Sequence, residues 1–313
     1  MTSAVVFAYH DVGYRCLSVL LAHGVRVPLV VTHRDDPRET VWFGSVAELA
    51  ALHDLPVVTP EDPNALVERI RSLAPDFLFS FYYRRMLGAS LLSIPARGAY
   101  NLHGSLLPAY RGRAPVNWAI LEGERRTGAT LHRMVEKPDA GAIYAQQAVP
   151  ILPDDTALEV FRKVTVAAEL ALDAVLPRLI DGSAQGIEQD LSRGSYYGGR
   201  RPEDGRIDWG RPAREIHDLV RAVAPPYPGA FCDLRGGRLR VLRTLCPGGE
   251  CGPHPGPTLF LDGSRLFAQC GDGRLLRLAA VEWRGEPSSP EQCLERLGGD
   301  PLPLPSQPSA ATK

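Results

Sequence analysis

Asn101, His103 and Asp139 supply an amide, an imidazole and a carboxylate near the ends of two apolar runs, Gly98-Ala-Tyr-Asn-Leu-His and Thr130-Leu-His-Arg-Met-Val. Such a set suits acyl transfer to an amine. The amide N–H can donate to the oxygen that gains charge in a tetrahedral intermediate, the electrostatic contribution usually worth most. The imidazole can take the proton that an attacking amine must lose, a contribution of roughly 10²–10⁴-fold. A carboxylate beside it favours imidazolium and fixes the ring tautomer. No nucleophilic Ser or Cys is required. Taken singly, a histidine at a strand end is more often a structural side chain, and an Asp before Ala-Gly more often a turn former.

These groups need particular elements to hold them. In residues 98–103, Tyr100 and Leu102 alternate with Ala99, Asn101 and His103, so a strand puts Asn101 and His103 on one face. Gly104 ends that strand. Leu106-Leu-Pro-Ala-Tyr-Arg-Gly-Arg then makes a loop that brings two arginines beside the pair and stops at Pro115, a favoured first residue for a helix over 115–124. A second strand is expected over 130–135, and Lys137-Pro-Asp-Ala-Gly then turns the chain, leaving Asp139 on a strand-end loop. Upstream, strands at 4–9, 27–32, 56–58 and 77–81 alternate with helices at 13–22, 46–53 and 64–74. That order predicts an α/β fold with a doubly wound, mostly parallel sheet covered on both faces. Such folds build sites at the carboxyl ends of their strands. The first turn, Tyr9-His-Asp-Val-Gly-Tyr-Arg, lacks the G-x-G-x-x-G that brings backbone to a pyrophosphate, so NAD is not expected.

The stretch N-L-H-G-S-L-L-P-A-Y-R-G-R-A-P-V-N-W from Asn101, followed by Asp139-Ala-Gly, resembles the signature of the 10-formyltetrahydrofolate-dependent formyltransferases. With Val6-Phe-Ala-Tyr-His-Asp-Val-Gly, Phe43-Gly-Ser-Val-Ala, Ser80-Phe-Tyr-Tyr-Arg and Arg221-Ala-Val-Ala-Pro-Pro-Tyr-Pro-Gly-Ala-Phe, the resemblance runs from about Val5 to about Gly273. It is nearest to the polymyxin-resistance branch of that family. It implies a Rossmann-like catalytic domain followed by an OB-like barrel, 10-formyltetrahydrofolate as formyl donor, and no metal. The acceptor it implies is a UDP-linked amino sugar, in that branch UDP-4-amino-4-deoxy-L-arabinose, which serves lipid A modification. By position, Asn101, His103 and Asp139 match the catalytic residues. Arg85, Met86, Leu87, Arg113, Val135, Glu136, Lys137, Pro138 and Asp139 match the folate-binding ones; Tyr82, Tyr83 and Met86 have two readings, as core packing, usual for aromatics after a strand, or as walls of a slot for a flat pteridine whose polar edge pairs with backbone around Arg85–Leu87. The branch also carries an NAD-dependent domain acting on UDP-glucuronic acid. Nothing in these 313 residues matches it, so the transferase is expected to act without one.

A length of 313 residues with 44 % hydrophobic content fits one large or two modest globular domains. Thr156 and Glu159 stand in capping-box spacing at the start of a helix expected through about residue 180, with Leu158, Phe161, Val164, Ala168 and Leu172 on its apolar stripe. The polar, glycine-rich passage 182–199 reads as a linker. The division expected is a catalytic domain over 1–199, a second domain over 200–300 and a disordered tail over 301–313, which is rich in Pro, Ser and Ala. Beyond a helix over 213–223, the second domain shows short alternating runs at 239–242, 259–261, 266–269 and 275–281, consistent with a small barrel or a sandwich.

Cys16, Cys232, Cys246, Cys251, Cys270 and Cys293 form no C-x-x-C pair, so neither a metal nor a disulfide is assigned. A net charge of −1 speaks against a nucleic-acid partner. No apolar run reaches the length of a membrane span and no basic stretch precedes a hydrophobic core at the N-terminus, so a cytoplasmic protein without membrane insertion is expected. A homo-oligomer stays open. For the sugar nucleotide, Tyr197, Arg200, Arg201 and Tyr227 are candidates, because arginines suit a diphosphate and an aromatic face suits a uracil; each is equally an ordinary surface or packing residue. Two alternatives remain. A methionyl-tRNA formyltransferase would share the triad and the barrel but needs a basic patch for phosphates, and the intact triad speaks against a folate-binding module without catalysis.

Overall fold

Strands buried on both faces read as continuous apolar runs, and two such runs, Ser3–Ala8 and Phe77–Phe81, lie side by side at the middle of the first sheet. The structure, a computed structural model, describes residues 1–37, 41–234, 236–246 and 251–306. In chain order its first elements are β1 (Ser3–Ala8), α1 (His10–Ala22), β2 (Arg26–Val31), α2 (Val46–Leu52), β3 (Val57–Val58), α3 (Val67–Leu73), β4 (Phe77–Phe81), α4 (Ala89–Leu92) and β5 (Ala99–His103). Next come β6 (Arg111–Gly112), α5 (Pro115–Leu121), β7 (Arg126–Arg133), β8 (Ile143–Pro150), α6 (Ala157–Asp181) and β9 (Tyr196–Tyr197). The remainder comprises α7 (Ala213–Ala222), β10 (Ala230–Leu234), β11 (Gly237–Leu245), β12 (Thr258–Asp262), β13 (Arg265–Gln269), β14 (Leu275–Trp283), β15 (Glu286–Ser288), α8 (Pro290–Leu297) and β16 (Leu302–Pro303).

The chain divides into two compact units. The first comprises Met1–Pro115, Arg126–Pro150 and Phe161–Gly199; the second comprises Val116–Arg125, Ile151–Val160 and Arg200–Lys313. In the first, a seven-stranded sheet runs in the order β3-β2-β1-β4-β5-β7-β8. Strands β3 to β5 are mutually parallel, as the alternation of strand and helix requires. The last two are antiparallel to their neighbours, because β7 and β8 are joined by a turn too short for a crossover. Val5, Phe7, Leu29, Val31, Leu78, Ile70 and Leu91 form a core on the sheet. The long helix α6 begins as its sequence predicts: the Thr156 N–H donates to Glu159 Oε2 at 2.6 Å and the Glu159 N–H reaches Thr156 Oγ1 at 3.5 Å.

In the second unit the antiparallel sheet β10-β11-β14-β13-β12-β16, with β15 beside β14, curls into a half-barrel. Trp209, Ile216, Val220, Leu239, Leu259, Leu276 and Cys293 fill its core. The run 290–297 forms α8, with Ser289 and Gln292 as a capping box, Pro290 in the first turn and Gly298 in the left-handed region at its end.

Three expectations are corrected. Residues 64–74 form a 3-10 turn (Pro63–Leu66) before a shorter α3, because the Asp62 side chain accepts from the Asn64 N–H and holds a tight turn there. The passage 182–199 is more than a linker: Ile187 bridges to Ile143, and β9 pairs with β6. The tail is ordered where it pairs with the sheet, since β16 lies against β12 and Leu302 and Leu304 are buried; residues 307–313 lie outside the described residues. Among the described residues no helix is long and apolar enough to cross a membrane.

Candidate active site

The sheet order reverses between β1 and β4, and open α/β sheets form crevices outside the carboxyl ends of strands at such a point. The residues that leave those ends are conformationally unusual: His10 after β1 has φ +67° and Tyr82 after β4 has φ +56°, a region that non-glycine residues enter at a cost. His10 stacks on Phe43 at 3.9 Å and meets Trp42 and Phe161 edge-on. Burial, with Arg84 adding to it, pushes the His10 imidazole down to about 3.

One strand further on, β5 delivers Asn101 and His103 to the same face, as the alternation predicts. His103 is 7 % exposed. Its Nε2–H donates to the Tyr110 carbonyl at 2.8 Å, so Nδ1 is the lone-pair nitrogen of the neutral ring. That Nδ1 lies 3.6 Å from Asp139 Oδ1. Burial lowers the His103 pKa and outweighs Asp139 and the Tyr110 carbonyl, which raise it. The imidazole is therefore neutral at pH 7, the state a base needs.

Asp139 sits in the turn between β7 and β8 with φ +52°. Gly112 donates its N–H to Asp139 Oδ2 at 2.9 Å. Gln189 donates through Nε2 to the Asp139 carbonyl at 3.0 Å and to the Gly141 carbonyl at 2.6 Å, which holds the turn. Burial alone would raise the Asp139 pKa, but His103, His132 and the Gly112 N–H together hold the carboxyl well below the usual carboxylate range. It is a fixed negative charge.

A second histidine completes the cluster. His132 on β7 is the Cα partner of Asn101 across the antiparallel β5–β7 pair, and the residue is 1 % exposed. Its Nε2 lies 3.1 Å from Asn101 Nδ2 and 3.4 Å from Asp139 Oδ1, while Nδ1 is 2.9 Å from the Arg133 carbonyl. Spacing within one strand did not single out His132, since only the register of two strands 31 residues apart places it opposite Asn101. The Arg133 carbonyl is itself closely flanked: a Cβ at Gly141 would lie 2.1 Å from that oxygen. Gly141→Ala is therefore expected to displace it and destabilise the protein by about 1–3 kcal/mol, read as a lower midpoint in urea unfolding.

The structure thus gathers Asn101, His103 and Asp139. The other predicted positions are distributed. Arg85 and Met86 lie in an exposed loop after β4, with Met86 64 % exposed. Leu87 packs in the core with Tyr83 and Leu91. Tyr83, expected to wall a slot, belongs to the core, edge-on to Phe7 and stacked on His33 at 4.1 Å. Tyr82 Oη lies where a Cβ on Gly104 would come within 1.9 Å of it, so residue 104 has to be small. Val135, Glu136 and Lys137 are exposed and Pro138 partly so, in the turn that carries Asp139. Arg113 is exposed and its N–H donates to the Tyr197 carbonyl at 3.0 Å. Tyr197 stacks on Tyr110 at 5.4 Å. In the second unit, Arg200 lies over the Trp118 ring at 4.9 Å and donates to the Asp204 carbonyl, and the Arg201 N–H donates to Asp204 Oδ2. Tyr227 packs against that unit's core and hydrogen-bonds Asn117, with burial pushing its phenol up.

Residues 20–176 match the family model described as formyl transferase, and residues 200–296 match that of the formyl transferase C-terminal domain. The chain belongs to the formyl transferase family and is a formyl-transferring enzyme. Solved structures share its fold. An N-formyltransferase from Helicobacter canadensis, in complex with folinic acid and dTDP-3-aminofucose, is 19 % identical with a TM-score of 0.73, over 89 % of this chain and 99 % of that one. WlaRD, a sugar 3N-formyl transferase solved in the presence of dTDP and 5-N-formyl-THF, is 18 % identical with a TM-score of 0.71, over 88 % and 97 %. A 4-N formyltransferase from Francisella tularensis is 22 % identical with a TM-score of 0.60, over 74 % and 91 %.

Proposed function

We propose that the enzyme transfers the formyl group of 10-formyltetrahydrofolate to the amine of a nucleotide-linked amino sugar, with UDP-4-amino-4-deoxy-L-arabinose as acceptor. The observation that carries this reading is the buried cluster of Asn101, a neutral His103 and an ionised Asp139 at the carboxyl end of β5. Amide donor, base and fixed carboxylate are the groups that acyl transfer to an amine requires. The fold is shared with an N-formyltransferase in complex with folinic acid and dTDP-3-aminofucose and with a sugar 3N-formyl transferase solved in the presence of 5-N-formyl-THF, which supports folate chemistry and an amino-sugar acceptor.

The donor fits the chemistry of the first unit. Met86 and Val135 expose apolar surface in the two loops assigned to the folate, Arg85–Leu87 and Val135–Asp139, with Arg113 as a further contact; flat rings bind against such surface with a few polar groups fixing orientation. When bound, 10-formyltetrahydrofolate supplies the formyl carbon that the amine attacks and leaves as tetrahydrofolate. Asn101 donates an amide N–H to the formyl oxygen as it gains charge. His103 accepts the amine proton at Nδ1, because Nε2–H is committed to the Tyr110 carbonyl, and later returns it to the leaving nitrogen. Asp139 faces the new Nδ1–H and stabilises the imidazolium. For the acceptor, Tyr197, Arg200, Arg201 and Tyr227 are the assigned contacts.

The test is a formylation assay with 10-formyltetrahydrofolate against UDP- and dTDP-linked amino sugars and methionyl-tRNA, read by mass spectrometry. A mass gain of one formyl group on the UDP-linked 4-amino sugar, above the other acceptors, is expected. Formylation of methionyl-tRNA alone would replace the acceptor, and no turnover with any acceptor would overturn the reading.

A further inference from the structure

We propose that His132 is a positioning residue for Asn101: by accepting one amide N–H at Nε2 it fixes which end of the Asn101 amide faces the formyl oxygen. The inference rests on the role given above to Asn101. An asparagine amide can turn by half a rotation and exchange a donor for an acceptor with little change in shape. An Asn101 with its carbonyl toward the formyl oxygen would repel the charge it is meant to stabilise. Something has to choose.

The surroundings of His132 make the choice. Its Nδ1 is 2.9 Å from the Arg133 carbonyl, which can only accept, so Nδ1 carries a proton, and Nε2, faced by the donor Nδ2 of Asn101, acts as the acceptor. Nε2 then offers a lone pair, and the Asn101 group 3.1 Å away has to be the NH2 end. One amide N–H goes to His132 and the second remains for the substrate. Asp139 Oδ1, at 3.4 Å from the same Nε2, is the competing partner for that nitrogen, and the Asn101 amide lies closer to it. The register of β5 and β7 holds the two side chains opposite one another on one face, and Gly141 leaves room for the Arg133 carbonyl that sets the tautomer. The groups facing the ring are therefore Asn101, Asp139 and the Arg133 carbonyl, with His103 on the other side of Asp139.

The experiment compares His132→Gln, His132→Asn and His132→Leu. A glutamine places an acceptor oxygen near the position of Nε2, whereas the shorter asparagine reaches only as far as Nδ1. Loss of an oxyanion donor costs about 10²–10³ in kcat, so His132→Leu and His132→Asn are expected to lose about tenfold to a hundredfold in kcat with KM for donor and acceptor little changed. His132→Gln is expected to stay within about threefold of wild type. In an Asn101→Ala background the His132 substitutions should cost almost nothing further, because the two residues act as one unit. Nitrogen-detected NMR of the wild type should show the Nδ1–H tautomer at His132. Equal losses for the Gln and Asn variants, additive losses on Asn101→Ala, or an N–H at Nε2 would overturn the proposal. If His132→Leu does not fold, the contrast between Gln and Asn still decides it. Full turnover by Asn101→Ala would instead overturn the site reading itself, and this inference with it.

Discussion

Replacing His103 by alanine slows formyl transfer by about 10²–10⁴-fold while leaving donor binding largely intact. The expectation follows from the burial and bonding of the ring. At 7 % exposed, no bulk water replaces Nδ1 as proton acceptor, and an attacking amine that cannot shed its proton returns to starting material. His103→Ala also removes the hydrogen bond to the Tyr110 carbonyl, so a modest drop in thermal stability accompanies the loss of rate. Donor affinity, measured by fluorescence titration with a formyl-folate analogue, separates the two effects. A folded His103→Ala protein with near-wild-type turnover would remove His103 from the chemistry.

Asp139→Asn is expected to bind donor and turn over slowly, because the substitution reverses the polarity of one contact. Asp139 Oδ2 accepts from the Gly112 N–H at 2.9 Å. An asparagine keeps its carbonyl oxygen there, so its NH2 takes the place of Oδ1, beside His103 Nδ1 and His132 Nε2. That NH2 donates to the lone pair which should receive the amine proton. Removing the charge also lowers the His103 pKa further, since Asp139 raises it in the wild type. The acid limb of the kcat/KM profile should therefore move to lower pH while its plateau falls. A mutant with wild-type rate and profile, defective only in stability, would return Asp139 to the role of turn former. The stability change has its own sign. The Asp139 pKa is depressed on folding, so its carboxylate stabilises the native state above the unfolded value near 3.8 and that contribution is lost as pH falls. Wild type and mutant should converge in stability in acid.

Asn101 and His103 were legible because β5 alternates strictly and ends at a glycine, and Asp139 because a turn sequence follows an apolar run. The grouping of Asn101, His103, His132 and Asp139 depends further on features that have no local pattern. β7 begins at Arg126, four residues before the alternation that suggested a strand at Thr130, since Arg126-Thr-Gly-Ala carries no large apolar side chain to mark a buried face. His132 acquires its meaning only from strand register. β6 and β9 are two residues each, too short to show any periodicity, and their partners are far apart in the chain. Tyr83 packs in the core and not along a slot, because an aromatic residue after a strand looks the same in sequence whether it faces a crevice or a core.

The segment that ends the first unit has a consequence for dissecting the gene. Ser195 Oγ accepts from the Tyr110 N–H at 2.8 Å, the Ser195 carbonyl accepts from the Arg111 N–H at 3.0 Å, and Gln189 grips the turn carrying Asp139. A fragment cut after α6 would keep Asn101, His103, His132 and Asp139 and nearly all of the sheet, yet lack the strap that holds both loops. Any minimal expressed version has to run to Gly199, and a protease nick between Gly182 and Gly199 would unfasten those two loops without removing any of the four side chains.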